Sequence, residues 1–171
     1  MTRFIKRLTM AAFAVGLGWS AHTSAAEVVV DEKSFGCIEE MGTKVKKTYI
    51  RHSDPAKLKE AVRIFETGAA EEYPVGTILQ LVPIEAMVKH EKSKFPNTNG
   101  WEFLLFDVKA EGAKIVQRGD SAANPLGNCL TCHTGAAKFD FVCDKGHGCA
   151  PIPVKDEQIL AMQAADARCK K

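Results

Sequence analysis

No block of basic residues runs through this chain of 171 residues, and no segment repeats. A nucleic-acid footprint needs clustered Lys and Arg, so that class of partner is excluded. Low-complexity tracts are absent as well, which leaves no visible linker and argues for a single compact unit. Long apolar runs are also missing. The longest lies between Leu8 and Trp19, short of the roughly 20 residues that a bilayer-spanning helix requires.

That run has the grammar of a secretory leader. Arg3, Lys6 and Arg7 precede it, and the small residues Ser24-Ala25-Ala26 follow it, just before Glu27. The pattern predicts a signal peptide over 1–26, cleaved after Ala26, and export to the periplasm. The mature chain is then one domain, 27–171, with no membrane span. The leader removes three of the 23 basic residues and none of the 21 acidic ones. The remainder is nearly neutral.

Helical and extended signals alternate. Phe35 to Lys47 reads as a helix carrying two glycines, and Thr48-Tyr49-Ile50 as a short strand. Asp54-Pro55 opens a helix with an N-cap and a proline in its first turn. Leu58, Val62 and Phe65 give it a core-facing stripe, and Gly68 ends it. Thr77 to Val82 reads as a buried strand, whereas 84–94 fits neither period. Asn97-Thr98-Asn99-Gly100 marks a turn before a strand over Trp101 to Val108. Glu111-Gly112 then turns the chain into a hairpin partner over Lys114 to Gln117. Asp156 caps a last helix with Ile159, Leu160 and Gln163 on one side. The sum is α+β, mainly an antiparallel sheet with a few helices.

All six cysteines fall in the mature part. Cys129-Leu130-Thr131-Cys132-His133 has the spacing that haem c attachment demands. Two thiols three positions apart can each add to a vinyl group, and the next residue offers an imidazole to the iron. The readings that compete with it are a redox Cys-x-x-Cys, a zinc site from Cys129, Cys132, Cys143 and Cys149, and ordinary disulfides around a chance pentapeptide. The leader favours haem, because exported cysteines are oxidised or used for cofactor attachment. One copy of the motif predicts one covalent haem c, held by Cys129 and Cys132 with His133 as iron ligand. Four cysteines remain, which permit three pairings; nearness in sequence and at the chain ends points to Cys143–Cys149 and Cys37–Cys169.

An ordered set of features resembles the cytochrome P-460 family, which includes the beta-type cytochromes c-prime. These are the Asp54-Pro55 helix, Tyr73-Pro74-Val75-Gly76-Thr77, Gly100-Trp101-Glu102-Phe103, the late haem motif, and Ala137-Lys138-Phe139-Asp140-Phe141-Val142. The resemblance runs from Tyr49 to Val154. It implies a haem against an antiparallel sheet, five-coordinate iron with an open face, and in many members a dimer. Its implied partners are a small diatomic gas or a small nitrogen compound such as hydroxylamine, and a redox protein. P-460 enzymes cross-link a lysine to the haem from the strand after the Gly-Thr pair. Here that strand, Ile78-Leu79-Gln80-Leu81-Val82, has none, and Lys89 lies too far along to substitute.

Candidates for a sixth iron ligand are Met41, Met87, Met162, His52, His90 and His147. His52 and His90, among charges, read as solvated. Phe65, Phe103 and Phe106 are candidate pocket walls, and Glu102 is a candidate distal acid. Three functions stay open: a gas-binding cytochrome, an electron carrier with a Met or His sixth ligand, and an oxidoreductase acting on a small nitrogen compound.

Overall fold

The computed structural model describes residues 27–169; the leader expected over 1–26 and its cleavage point lie outside the described residues. The centre is a six-stranded antiparallel sheet in simple sequence order. Its strands are β1 (Thr43–Val45), β2 (Thr48–Arg51), β3 (Ile78–Gln80), β4 (Glu85–Lys89), β5 (Trp101–Lys109) and β6 (Gly112–Gly119). Helix α1 (Pro55–Thr67) joins β2 to β3. After β6 come a small hairpin, β7 (Ala123–Asn124) and β8 (Gly127–Asn128), and two short helices, α2 (Cys129–His133) and α3 (Asp156–Ala164). The α+β antiparallel architecture read from the sequence is the one observed.

Alternation along the strands separates two cores. Ile50, Leu79 and Trp101 pack against Ala61, Ile64 and Phe65 of α1. From the opposite face Tyr49, Ile78, Ala86, Val88, Leu104 and Phe106 meet Phe35, Ile38 and Met41 of the N-terminal segment. The register fixes this split: Met87 pairs with Phe103 and Val88 with Glu102, so neighbours in sequence serve opposite faces.

The start of α1 matches its reading. Asp54 Oδ1 accepts from the N–H groups of Ala56 at 2.8 Å and Lys57 at 3.4 Å, and Gly68 closes the helix in the left-handed region. The expected helix over Phe35 to Lys47 does not form. A 3-10 turn at Ile38–Glu40 and strand β1 replace it. Phe35, Ile38 and Met41 are spaced by three, which suits a 3-10 turn as well as an α-helix. Gly42 then ends any helix. At φ +141° it approaches β2 so closely that a Cβ would sit 2.4 Å from the Ile50 carbonyl oxygen.

Other boundaries move less. β3 is shorter than Thr77 to Val82, and the undecided stretch contains β4, with Ala86 and Val88 inward. Asp156 is the first residue of α3 and not its cap, which is Lys155. Leu160 is exposed; Ile159 and Gln163, one turn apart, form the buried side. Gln163 Nε2 donates to the Lys47 and Leu81 carbonyls at 2.6 and 2.7 Å. The C-terminal segment is thereby strapped to the sheet, and the Cys37–Cys169 disulfide fastens its end. The second bridge joins Cys143 to Cys149. Both expected pairings are present, so the four-cysteine zinc arrangement is not.

Candidate functional site

The β7–β8 hairpin delivers the chain to Asn128, whose Oδ1 accepts from the Thr131 N–H at 3.0 Å and caps α2. Its amide also donates to the Ser121 and Ala122 carbonyls, and Cys129 N–H bonds the Ala122 carbonyl at 3.0 Å. These contacts hold one helical turn against the sheet. Cys129, Cys132 and His133 occupy positions i, i+3 and i+4, which share a helix face. Both cysteines are free thiols, Cys129 buried and Cys132 exposed. Burial pushes the Cys129 thiol up to about 11, with Glu85 and Cys132 adding to the rise.

His133 is oriented by its backbone surroundings. Its Nδ1–H donates to the Phe141 carbonyl at 2.7 Å, which fixes the tautomer and leaves Nε2 as the bare nitrogen. Burial lowers its pKa despite that bond, favouring the neutral ring that a metal requires. The ring lies 4.9 Å from that of Phe103, measured between centroids. Phe103, Leu105, Ala122 and Cys129 form an apolar cluster with Met87 and Leu130 packed against it. Glu85, on the same sheet face, receives Asn124 Nδ2 at 3.2 Å, and burial raises its carboxyl.

A disulfide loop backs the turn after His133. Gly135 and Gly148 meet backbone to backbone, and a Cβ on Gly135 would stand 2.3 Å from the Gly148 carbonyl oxygen. His147 in this loop is buried, stacks flat on Phe139 at 3.9 Å, and bonds the Val142 carbonyl through Nδ1. Asp140 and Phe141 form the bend between these pieces, both at positive φ. The buried Asp140 carboxylate is held by Lys89 Nζ at 2.7 Å to each oxygen.

The residues present fit a covalently attached haem. Two unpaired thiols flank a helical turn, and an oriented imidazole with a free Nε2 follows at once. No group of three or more His, Cys, Asp or Glu among the described residues is arranged to hold a bare metal ion. Cys129, Cys132 and His133 lie together on the single turn of α2.

It sorts the other candidates. Phe103 reaches His133, but Phe106 packs at a tilt on Phe35 in the opposite core, with centroids 4.6 Å apart, and Phe65 belongs to the α1 core. Glu102 is not a distal acid. It alternates with Phe103 and points away, bound to His90 Nε2 at 2.9 Å and to Arg118 at 2.6 and 3.0 Å. Burial alone would raise this carboxyl, yet the bonds from His90 and Arg118 hold it at about 2. His90 is therefore buried, not solvated. Met41 is in that same far core. His52 is engaged at both nitrogens, by the Val75 carbonyl and the Asp54 N–H. Met162 is half-buried on α3. Of the three methionines, Met87 is the one that packs against the cluster that holds Cys129 and Phe103. A surface groove of about 420 Å³ beside Val30, Glu32, Ile115 and Arg118 is on the other side of the sheet.

Sequence reasoning gave no role to Glu85 or to Asp140, although Asp140 stands in the run after the Cys-x-x-Cys-His motif that carries the resemblance. The first sits in a stretch with no clear period. Asp140 carried one signal, since Asp tolerates the left-handed region better than most residues.

Neither the curated proteins nor the solved structures gave a match to the chain. The family model described as Cytochrome P460 matches residues 21–143, which takes in the sheet, the Cys-x-x-Cys-His turn and the bend that supports His133, and ends at the first cysteine of the disulfide loop. The chain belongs to the cytochrome P460 family.

Proposed function

We propose that the protein is an exported monohaem cytochrome c in which Cys129 and Cys132 form the two thioethers and His133 Nε2 binds the iron. The observation that carries this reading is the division of the six cysteines. Four pair with one another; the two left as thiols are those of the haem motif, directly before a histidine whose Nδ1 is already committed. Two disulfides are also what an oxidising compartment produces, which supports export.

Bound here, the haem supplies a redox-active iron able to take a small ligand. The chain's own part is to anchor it at two points, hold one neutral imidazole in a fixed tautomer, and set an apolar wall of Phe103, Leu105 and Leu130 beside it. A small diatomic gas at an open sixth position is the ligand this reading favours. Three of the histidine and methionine candidates are engaged elsewhere: Met41 in the far core, His90 on Glu102 and His52 on backbone. Lysine cross-linking finds no support, because β3 contains no lysine and the Lys89 ammonium is tied to Asp140.

A second reading rests on Met87. It lies on the His133 side of the sheet, and as sixth ligand it would make the protein an electron carrier facing a redox partner. The absorption spectrum of the matured ferrous protein, before and after carbon monoxide, separates the two. A high-spin spectrum shifted by carbon monoxide is expected. A low-spin spectrum indifferent to the gas, lost in Met87→Leu, would establish the carrier. A mass equal to the bare polypeptide would refute covalent haem altogether.

A further inference from the structure

Asp140 is only 4 % exposed, and its carboxylate gathers donors from three separate parts of the chain. Lys89 Nζ donates to both oxygens at 2.7 Å, Asn99 Nδ2 to Oδ1 at 2.6 Å, and the Tyr73 N–H to Oδ2 at 2.8 Å. Lys89 donates in addition to the Asn99 carbonyl at 2.6 Å and lies over the Trp101 ring at 5.3 Å. A buried ion pair of this kind is rarely the cheapest way to fill a core, because desolvation offsets most of its attraction. Its place in the chain gives it a second consequence.

Asp140 and Phe141 have φ values of +52° and +61°. Two consecutive side-chain-bearing residues in the left-handed region are strained, so the surroundings must impose the bend. The Asp140 clamp imposes it from one side, and the Phe141 N–H bond to the Ala136 carbonyl at 2.9 Å from the other. The carbonyl carried by this bend is the acceptor for His133 Nδ1–H.

We propose that Asp140, locked by Lys89, Asn99 and the Tyr73 backbone, is a positioning residue that sets the His133–Phe141 hydrogen bond and through it the strength of His133 as iron ligand. The inference rests on the haem reading above. A histidine whose Nδ1–H is firmly bonded is a stronger donor to a metal through Nε2. A stronger donor favours the ferric state, and hydrogen bonding around an axial ligand is one of the levers on haem potential. Loosening the bend should weaken the ligand and favour the ferrous state.

The test is Asp140→Asn in the full matured chain, beside Glu102→Gln, which alters a buried carboxylate on the opposite sheet face. Covalent haem is read by mass and redox balance by titration. The His133 Nδ1–H exchange rate is read by NMR in the diamagnetic ferrous carbon monoxide form. Asp140→Asn should retain the haem, exchange that proton faster, and raise the ferrous-to-ferric ratio at fixed potential on the order of tenfold, about 59 mV for a one-electron couple. Glu102→Gln should change neither. If Asp140→Asn only melts earlier, with potential and exchange as in wild type, Asp140 is merely structural and the proposal falls. Should that variant fail to fold, Asn99→Ala removes a single donor and decides by the same readouts: a shift supports the role, and none overturns it. Wild-type protein without covalent haem would overturn both this proposal and the reading beneath it.

Discussion

Two buried charge clusters lie back to back across β4 and β5, and they do different work. Lys89 and His90 are adjacent in sequence, as are Trp101 and Glu102, and each pair splits between the two faces. On the site face, Lys89 holds Asp140, a residue 51 positions away and outside the sheet. On the far face, His90 and Arg118 hold Glu102, all three belonging to or adjoining neighbouring strands that already share backbone bonds. The first cluster ties a functional segment to the scaffold; the second reinforces pairing that exists without it. The same chemistry, a buried carboxylate held by nitrogen donors, fixes the bend behind His133 in one case and stiffens a sheet in the other. What decides is where the carboxylate sits in the chain.

The sharpest way to part the faces is to remove the attachment chemistry. Cys129→Ala with Cys132→Ala should lose covalent haem completely, as read by mass, while the two disulfides and the far-face cluster remain. Protection of the far-face backbone amides from hydrogen exchange should then persist. Loss of protection there would mean the faces do not stand apart.

Next in size are the carboxylates themselves. Asp140→Ala leaves the Lys89 ammonium buried without its partner, a change that costs about 3–5 kcal/mol in comparable cases. Glu102→Ala should cost less, since the Arg118 side chain is 47 % exposed and can turn to water. Denaturant unfolding of the two variants measures this difference, and equal losses would erase it.

A smaller effect is expected where the disulfide loop docks. Gly135→Ala drives a methyl into the Gly148 carbonyl, and neither backbone has a flexible end that can give way. Overpacking of this kind costs about 1–3 kcal/mol. The loop bears on the segment that holds His133, so the visible spectrum of the holoprotein should respond as well as its melting temperature. A melting shift with an unchanged spectrum would detach the loop from the site.

The clusters also show what could be read in advance. Local grammar was legible: the Asp54 cap with Gly68, the turns around β5 and β6, and Cys129-x-x-Cys132-His133 all depend on residues a few positions apart. Cysteine counting left four thiols and three pairings, and nearness in sequence and at the chain ends picked out the two bridges observed. The Phe35 to Lys47 stretch misled because apolar residues three apart suit two kinds of helix. Glu102 was misplaced for a deeper reason. Alternation says that Glu102 and Phe103 face opposite ways, but only strand register and the path of later segments decide which face meets His133. The Lys89–Asp140 pair was illegible, since nothing local to either residue names the other.

The finest distinction concerns Arg118, the one cation in the two clusters that reaches solvent. Glu102 ionises at about 2 in the folded protein against an ordinary 4.5. A carboxylate depressed in this way contributes its full stabilisation above about pH 4.5 and loses it as the pH falls toward 2. Arg118→Met leaves His90 in place but removes two of the bonds that oppose burial, so the folded-state value must rise toward the ordinary one. Near pH 6 the variant should be less stable than wild type by only about 1 kcal/mol or less, as for other pairs with one partner in water. That gap should close on acidification, because wild type then loses the stabilisation that the variant already lacks. Urea unfolding at about pH 6 and about pH 2, close to the folded-state value of Glu102, reads the gap directly. Curves that converge assign the depressed carboxyl to Arg118. A constant gap would assign it to His90, and the far cluster would then be as closed to water as the one that holds Asp140.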